Sequence, residues 1–128
     1  MASIQRLQHV SVPMPGDGMN EARQFYGKVL GLTPIAPPSS LAPGSVSWFR
    51  IADTDTEVHV FIEEPFRGGS AGQHLCLQVD DIAVYRDRLS EHGVEIEETI
   101  AIRNRPRFFI HDPFGNRVEI TQIEGPFS

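Results

Sequence analysis

The sequence predicts an α+β fold of two βαβββ modules whose strands form a curved mixed sheet around a cavity, with helices on the outer face. Three observations lead there. Short alternating apolar stretches dominate and only two segments carry helical periodicity. The order strand, helix, three strands occurs twice, with landmarks recurring after about half the chain. Finally, four strand candidates carry His9, His59, His74 and Glu119 on their more polar face, one early and one late in each half.

Each element has a local reason. Residues 3–12 alternate as a strand and end at Pro13-Met14-Pro15-Gly16. Asp17 or Asn20 is placed to cap a helix that carries Ala22, Phe25, Tyr26, Val29 and Leu30 at helical spacing, and Gly31 sits where a C′ glycine belongs. Residues 32–35 form a short strand. Residues 36–45, with three prolines and a glycine, form a loop. Strands follow at 46–51 and 57–63, and residues 64–70 are the linker between halves. The second half repeats the plan. A strand at 73–79 leads to Asp80 or Asp81 as cap, then to a helix with Ile82, Val84, Tyr85 and Leu89 on its apolar side, ended by Gly93. Strands are expected at 95–100, 107–110 and 117–123, with a turn at Asp112-Pro113-Phe114-Gly115-Asn116. The chain is expected to be one domain, residues 1–128, with module one at about 3–64 and module two at about 72–124.

Composition narrows the function classes. A net charge of −6 argues against a nucleic-acid surface, since the only basic cluster is Arg103, Arg105 and Arg107. The single cysteine, Cys76, has no internal partner, so a reducing cytoplasm fits. The first residues lack the apolar core of a signal peptide and no apolar run reaches membrane-spanning length. The expectation is a soluble cytoplasmic protein with no nucleic-acid or membrane partner.

Strand parity supplies the functional argument. Leu75, Leu77 and Val79 take one face of their strand and His74, Cys76 and Gln78 the other. His59 opposes Val58 and Val60, Glu119 opposes Val118 and Ile120, and His9 opposes Val10. Singly, each has an ordinary explanation: a half-buried hydrogen-bonded histidine or a solvated glutamate. Jointly, three imidazoles and a carboxylate suit a divalent ion such as Zn, Ni, Co, Mn or Fe, and the absence of thiolate ligands argues against a closed structural zinc site. Arg107 is a candidate for binding a substrate carboxylate or phosphate, while a solvated edge is the plainer explanation for at least two of the three arginines. Cys76 is expected to be an inert wall residue, because no base lies nearby in the pattern.

The segments LQHVSVPMP, EARQFYGKVLGL, TEVHVFIEEP, GQHLCLQVDD and RFFIHDPFGNRVEITQ resemble the vicinal oxygen chelate superfamily over residues 4–124. That superfamily includes glyoxalases, extradiol dioxygenases and bleomycin-resistance proteins. The resemblance implies a metal site of His9, His74 and Glu119, with His59 as fourth ligand and its least secure member. It implies Glu119, assisted by His59, as the proton-transfer group, and Trp48, Arg107 and Phe109 as candidates for substrate contact. It further implies a homodimer acting on a small molecule. The first expectation is a metal-dependent glyoxalase-type lyase or isomerase that stabilises an enediolate-like oxyanion. The alternatives are an Fe(II) extradiol-type dioxygenase and a metal-free resistance protein that binds a drug or metabolite.

Overall fold

The computed structural model describes residues 1–128, in two compact units, Met1–Arg67 and Gly68–Ser128. The fold is α+β, with one sheet in each unit. In the first unit, β1 (His9–Met14) is followed by α1 (Met19–Ala22), which runs on as a π-helical stretch over Arg23–Val29. Then come β2 (Thr33–Ile35), β3 (Val46–Arg50) and β4 (Glu57–Ile62), in the sheet order β1-β4-β3-β2. β1 and β4 are parallel, and β3 is antiparallel to both β4 and β2.

The first strand starts later than its alternation predicts. β4 offers six residues, and its register pairs His9–Met14 with Glu57–Ile62, so residues 3–8 lie outside the ladder. The strand also runs through Pro13 instead of ending there. β1 is an edge strand, with a ladder on one side only, and an edge tolerates a residue without an N–H. Neither Asp17 nor Asn20 caps the first helix; the N-cap is Gly18, with no side-chain bond. The helix nonetheless buries the face its spacing predicts: Ala22, Phe25, Tyr26, Val29 and Leu30 all lie in the core with Phe49, Val58 and Val60.

In the second unit, β5 (His74–Gln78), α2 (Ile82–Glu91), β6 (Arg107–His111) and β7 (Arg117–Thr121) form a sheet of order β5-β7-β6. Asp81 is the N-cap, accepting a bond from the Val84 backbone N–H. Gly31 and Gly93 follow their helices at φ 78° and 74°, the left-handed geometry of a C′ residue. Leu89 anchors α2 to a core that includes Leu75, Phe108, Ile110, Val118 and Ile120. Val84, expected on the apolar side, is 48% exposed.

The strand expected at residues 95–100 is reduced to one bridge, Glu97 to Phe109. Its neighbours are drawn elsewhere: Val94 N–H bonds back to the Leu89 carbonyl at the helix end, and Glu98 pairs with Arg86. The last strand likewise stops at Thr121, where both of its five-residue partners end. No helix is long and apolar enough to cross a membrane.

Candidate metal centre

The two parallel ladders repeat one geometry. In the first unit His9 lies opposite Glu57 and Ser11 opposite His59. In the second, His74 lies opposite Arg117 and Cys76 opposite Glu119. His59 and Glu119 therefore occupy equivalent positions, two residues beyond the partner of the first histidine. Each unit brings two of the four expected ligands together. Neither unit by itself holds a group of three or more His, Cys, Asp or Glu side chains arranged to hold a metal ion.

In the first unit three rings stack. His59 lies between its neighbours' faces, 4.1 Å from the His9 ring centroid and 3.7 Å from that of Trp48, its direct cross-strand partner. Trp48 thus shares the polar face with His59, while Phe49 is fully buried against Tyr26 in the core. The Nδ1 of His9 is 2.6 Å from the Gln8 side-chain oxygen. An amide oxygen accepts, so Nδ1 donates and Nε2 keeps the lone pair. His59 is held the other way round: its Nε2 donates to Glu57 Oε1 at 2.8 Å, leaving Nδ1 as its free lone pair. That bond, against opposing burial and with lesser help from Gln8, lowers the Glu57 carboxyl below its ordinary range.

In the second unit the His74 Nδ1 donates to the Gly72 carbonyl at 2.8 Å, and its Nε2 faces Glu119 Oε1 at 3.0 Å. With Nδ1 carrying one proton, Nε2 either donates a second ring proton to this carboxylate or turns a lone pair toward it. That contact is favourable only with a positive charge between or on the partners, either a second ring proton or a metal ion. Fixing of the remote nitrogen by a backbone carbonyl is the usual support of a metal-binding histidine. The donor set therefore fits a divalent ion at His74 Nε2 and Glu119 Oε1, and His9 presents the same nitrogen in the same way.

Glu119 is buried, at 8% exposure. Burial works to raise its carboxyl, but the Thr121 hydroxyl, the Arg107 guanidinium and His74 together outweigh it and hold the group below its ordinary range. Arg107 Nη1 is 3.5 Å from Glu119 Oε2, and its Nη2 donates to the Ile100 carbonyl. Phe109 lies directly opposite Glu119, with the His74 ring edge-on at 4.9 Å and the Arg117 guanidinium 3.6 Å from its centroid. Of the other two arginines, Arg103 is exposed and Arg105 lies over Phe127. The Nε atoms of Arg105 and Arg107 are buried without a partner, and nothing in the structure accounts for either. Cys76, an exposed residue, donates to Thr121, and partial desolvation of its thiol raises it above the ordinary range. Sequence reasoning missed Gln8 and the Gly72 carbonyl as supports of His9 and His74. Gln8 adjoins His9, but a neighbouring amide is not by itself a signal.

The fold and the matched pairs define a class, and comparison with known proteins gives it a name. The chain belongs to the Glyoxalase/Bleomycin resistance protein/Dioxygenase superfamily, whose family model matches residues 6–120. It is 30% identical to the ethylmalonyl-CoA/methylmalonyl-CoA epimerase of Cereibacter sphaeroides, over 94% of this chain and 99% of that protein. A crystal structure of a glyoxalase family protein from Bacillus anthracis superposes with a TM-score of 0.88 at 31% identity, over 96% of this chain and 98% of the other. An antibiotic binding protein from a Streptomyces species shares the fold at 22% identity and a TM-score of 0.79, over 96% and 99%.

Proposed function

We propose that this protein is a metal-dependent isomerase or lyase that moves a proton at a carbon next to a carbonyl group. Its ion would be held by His9, His74 and Glu119, with His59 as fourth ligand through Nδ1. The observation that carries this proposal is the His74–Glu119 contact, in which Nδ1 is fixed on the Gly72 carbonyl and Nε2 lies 3.0 Å from a carboxylate oxygen, a pair that a divalent ion can take up in place of a ring proton. The equivalent ladder position of His59, and the resemblance to an acyl-CoA epimerase, support it further.

A divalent ion in that position supplies positive charge for the oxyanion that develops when the neighbouring carbon loses its proton. The chain's own residues do the rest. Glu119 is the one carboxylate of the set and is held ionised, and its Oε1, the oxygen not engaged by Thr121 and Arg107, would accept the proton on release from the ion. His59, backed by Glu57, is the second group able to hold one. Trp48 and Phe109 are flat apolar surfaces beside the two pairs and orient a small substrate there.

Metal analysis of protein purified without chelator, followed by exchange of the α-proton of a 2-methylmalonyl thioester in deuterated water, tests the proposal. One equivalent of metal and exchange that stops on its removal are expected. Absence of metal both as purified and on titration would sink it and leave a binding protein.

One observation favours a second reading. His59 is held by Glu57 through Nε2, and if that bond keeps its Nδ1 from the ion the donors are two histidines and one carboxylate, the set used by Fe(II) oxygenases. Oxygen uptake with a catechol and Fe(II), without α-proton exchange, would select that chemistry.

A further inference from the structure

The two oxygens of Glu119 lie in different surroundings. Oε1 faces His74, whereas Oε2 accepts the Thr121 hydroxyl at 2.6 Å and lies 3.5 Å from Arg107 Nη1. The register explains why these groups meet. Glu119 and Thr121 are two apart on β7 and share a face, Arg107 is the direct partner of Thr121 on β6, and Cys76 is the direct partner of Glu119 on β5.

The hydrogen bonds run in one direction. A hydroxyl has one proton, and Thr121 gives it to Glu119, so the Cys76 thiol must be the donor in its 3.4 Å contact with Thr121 Oγ1. The chain is then Sγ–H to Oγ1–H to Oε2. Thr121 is 5% exposed, and Arg107 is braced by its bond to the Ile100 carbonyl. Both groups are thus held in place on the Oε2 side of the carboxylate.

We propose that Thr121 and Arg107 are positioning residues that occupy Oε2 of Glu119, so that the carboxylate offers a divalent ion Oε1 alone. This rests on the role of Glu119 as a ligand proposed above. The physical reason is that an unrestrained carboxylate binds an ion through one oxygen or two and samples several rotamers. A hydroxyl donor on Oε2 and a guanidinium charge beside it remove those alternatives before the ion arrives, and the outer partners of a metal ligand commonly contribute in this way. Chelation through both oxygens would break the Thr121 bond and the Arg107 contact together.

Titration of the metal-free protein with cobalt(II) chloride, followed by its visible absorption, tests the clamp in wild type, T121V, T121S, R107M and E119Q. T121V is expected to bind Co(II) about 10–100-fold more weakly. Its visible band should also dim, because a freed Oε2 raises the coordination number. T121S keeps the hydroxyl and restores both affinity and band, and R107M moves in the direction of T121V. Wild-type affinity and spectrum in T121V, with binding lost in E119Q, would overturn the clamp while leaving Glu119 as ligand. If wild type takes up no Co(II), or E119Q binds as tightly as wild type, the ligand assignment fails and the clamp with it. Should T121V not fold, R107M decides: weaker binding sustains the clamp and unchanged binding overturns it.

Discussion

The two modules treat their first histidine alike and their late-strand partner differently. His9 and His74 each give Nδ1 to a nearby oxygen. At the equivalent late positions, Glu119 points an oxygen at its histidine, whereas His59 lies flat between two rings and spends its Nε2 on Glu57. A repeated ladder therefore fixes where a side chain stands, but its neighbours decide which atom it offers. The charges flanking the late positions are opposite in sign: Glu57 beside His59, and Arg107 with Arg117 around Glu119 and Phe109. Module two is the half that surrounds its late-strand carboxylate with a hydroxyl and a guanidinium.

The largest effect should come from substituting the two late positions in turn. On the proposed function Glu119→Gln removes both the anionic ligand and the proton acceptor and is expected to lower turnover by about 10²–10⁴-fold. His59→Gln keeps a neutral donor at the position whose Nε2 is already engaged by Glu57, so a smaller loss than that of Glu119→Gln is expected. Steady-state kinetics together with bound-metal content separate the two. Equal losses would show that the modules contribute equally and would erase the distinction drawn from the nitrogen atoms.

The matched glycines test the repeat at the level of the backbone. Gly31 and Gly93 both end a helix at positive φ. At Gly93 an added Cβ meets nothing within 4 Å, so Gly93→Ala isolates the conformational term, about 1–2 kcal/mol. Urea unfolding of both alanine variants measures whether the two ends are equivalent. A larger cost at Gly31 would mean that packing is added to strain there.

Much of this was legible in the sequence because a strand has a period of two. Parity placed His9, His59, His74 and Glu119 on polar faces without any knowledge of partners. Parity says nothing of what a side chain does at its tip. Which nitrogen each histidine keeps depends on Gln8, Glu57 and the Gly72 carbonyl, and no periodicity singles these out. The strand expected at 95–100 failed for a related reason. Alternation is a necessary sign, but a strand also needs a partner along its length, and here only Glu97 finds one.

The smallest effect expected is on the acid stability of the metal-free protein, where both modules contribute through carboxylates lowered by different causes. Glu57 is lowered chiefly by its bond to His59; Glu119 is lowered by Thr121, Arg107 and His74 in spite of burial. A carboxyl with a lower value in the folded state than in the unfolded one adds stability above the unfolded value, about 4.3 for glutamate. That contribution disappears as the pH falls through the folded value. Urea midpoints measured from pH 6 to pH 3 should therefore fall on the acid side for wild type. Glu119→Gln should be less stable than wild type at pH 6, since Arg107 loses its charged partner, and the two curves should converge toward pH 3. Glu57→Gln should show the same convergence with a smaller gap, its carboxylate being more exposed and more screened. A constant gap for Glu119→Gln across the range would mean that its cost is one of packing, and that the charges around this carboxylate do not stabilise its ionised form.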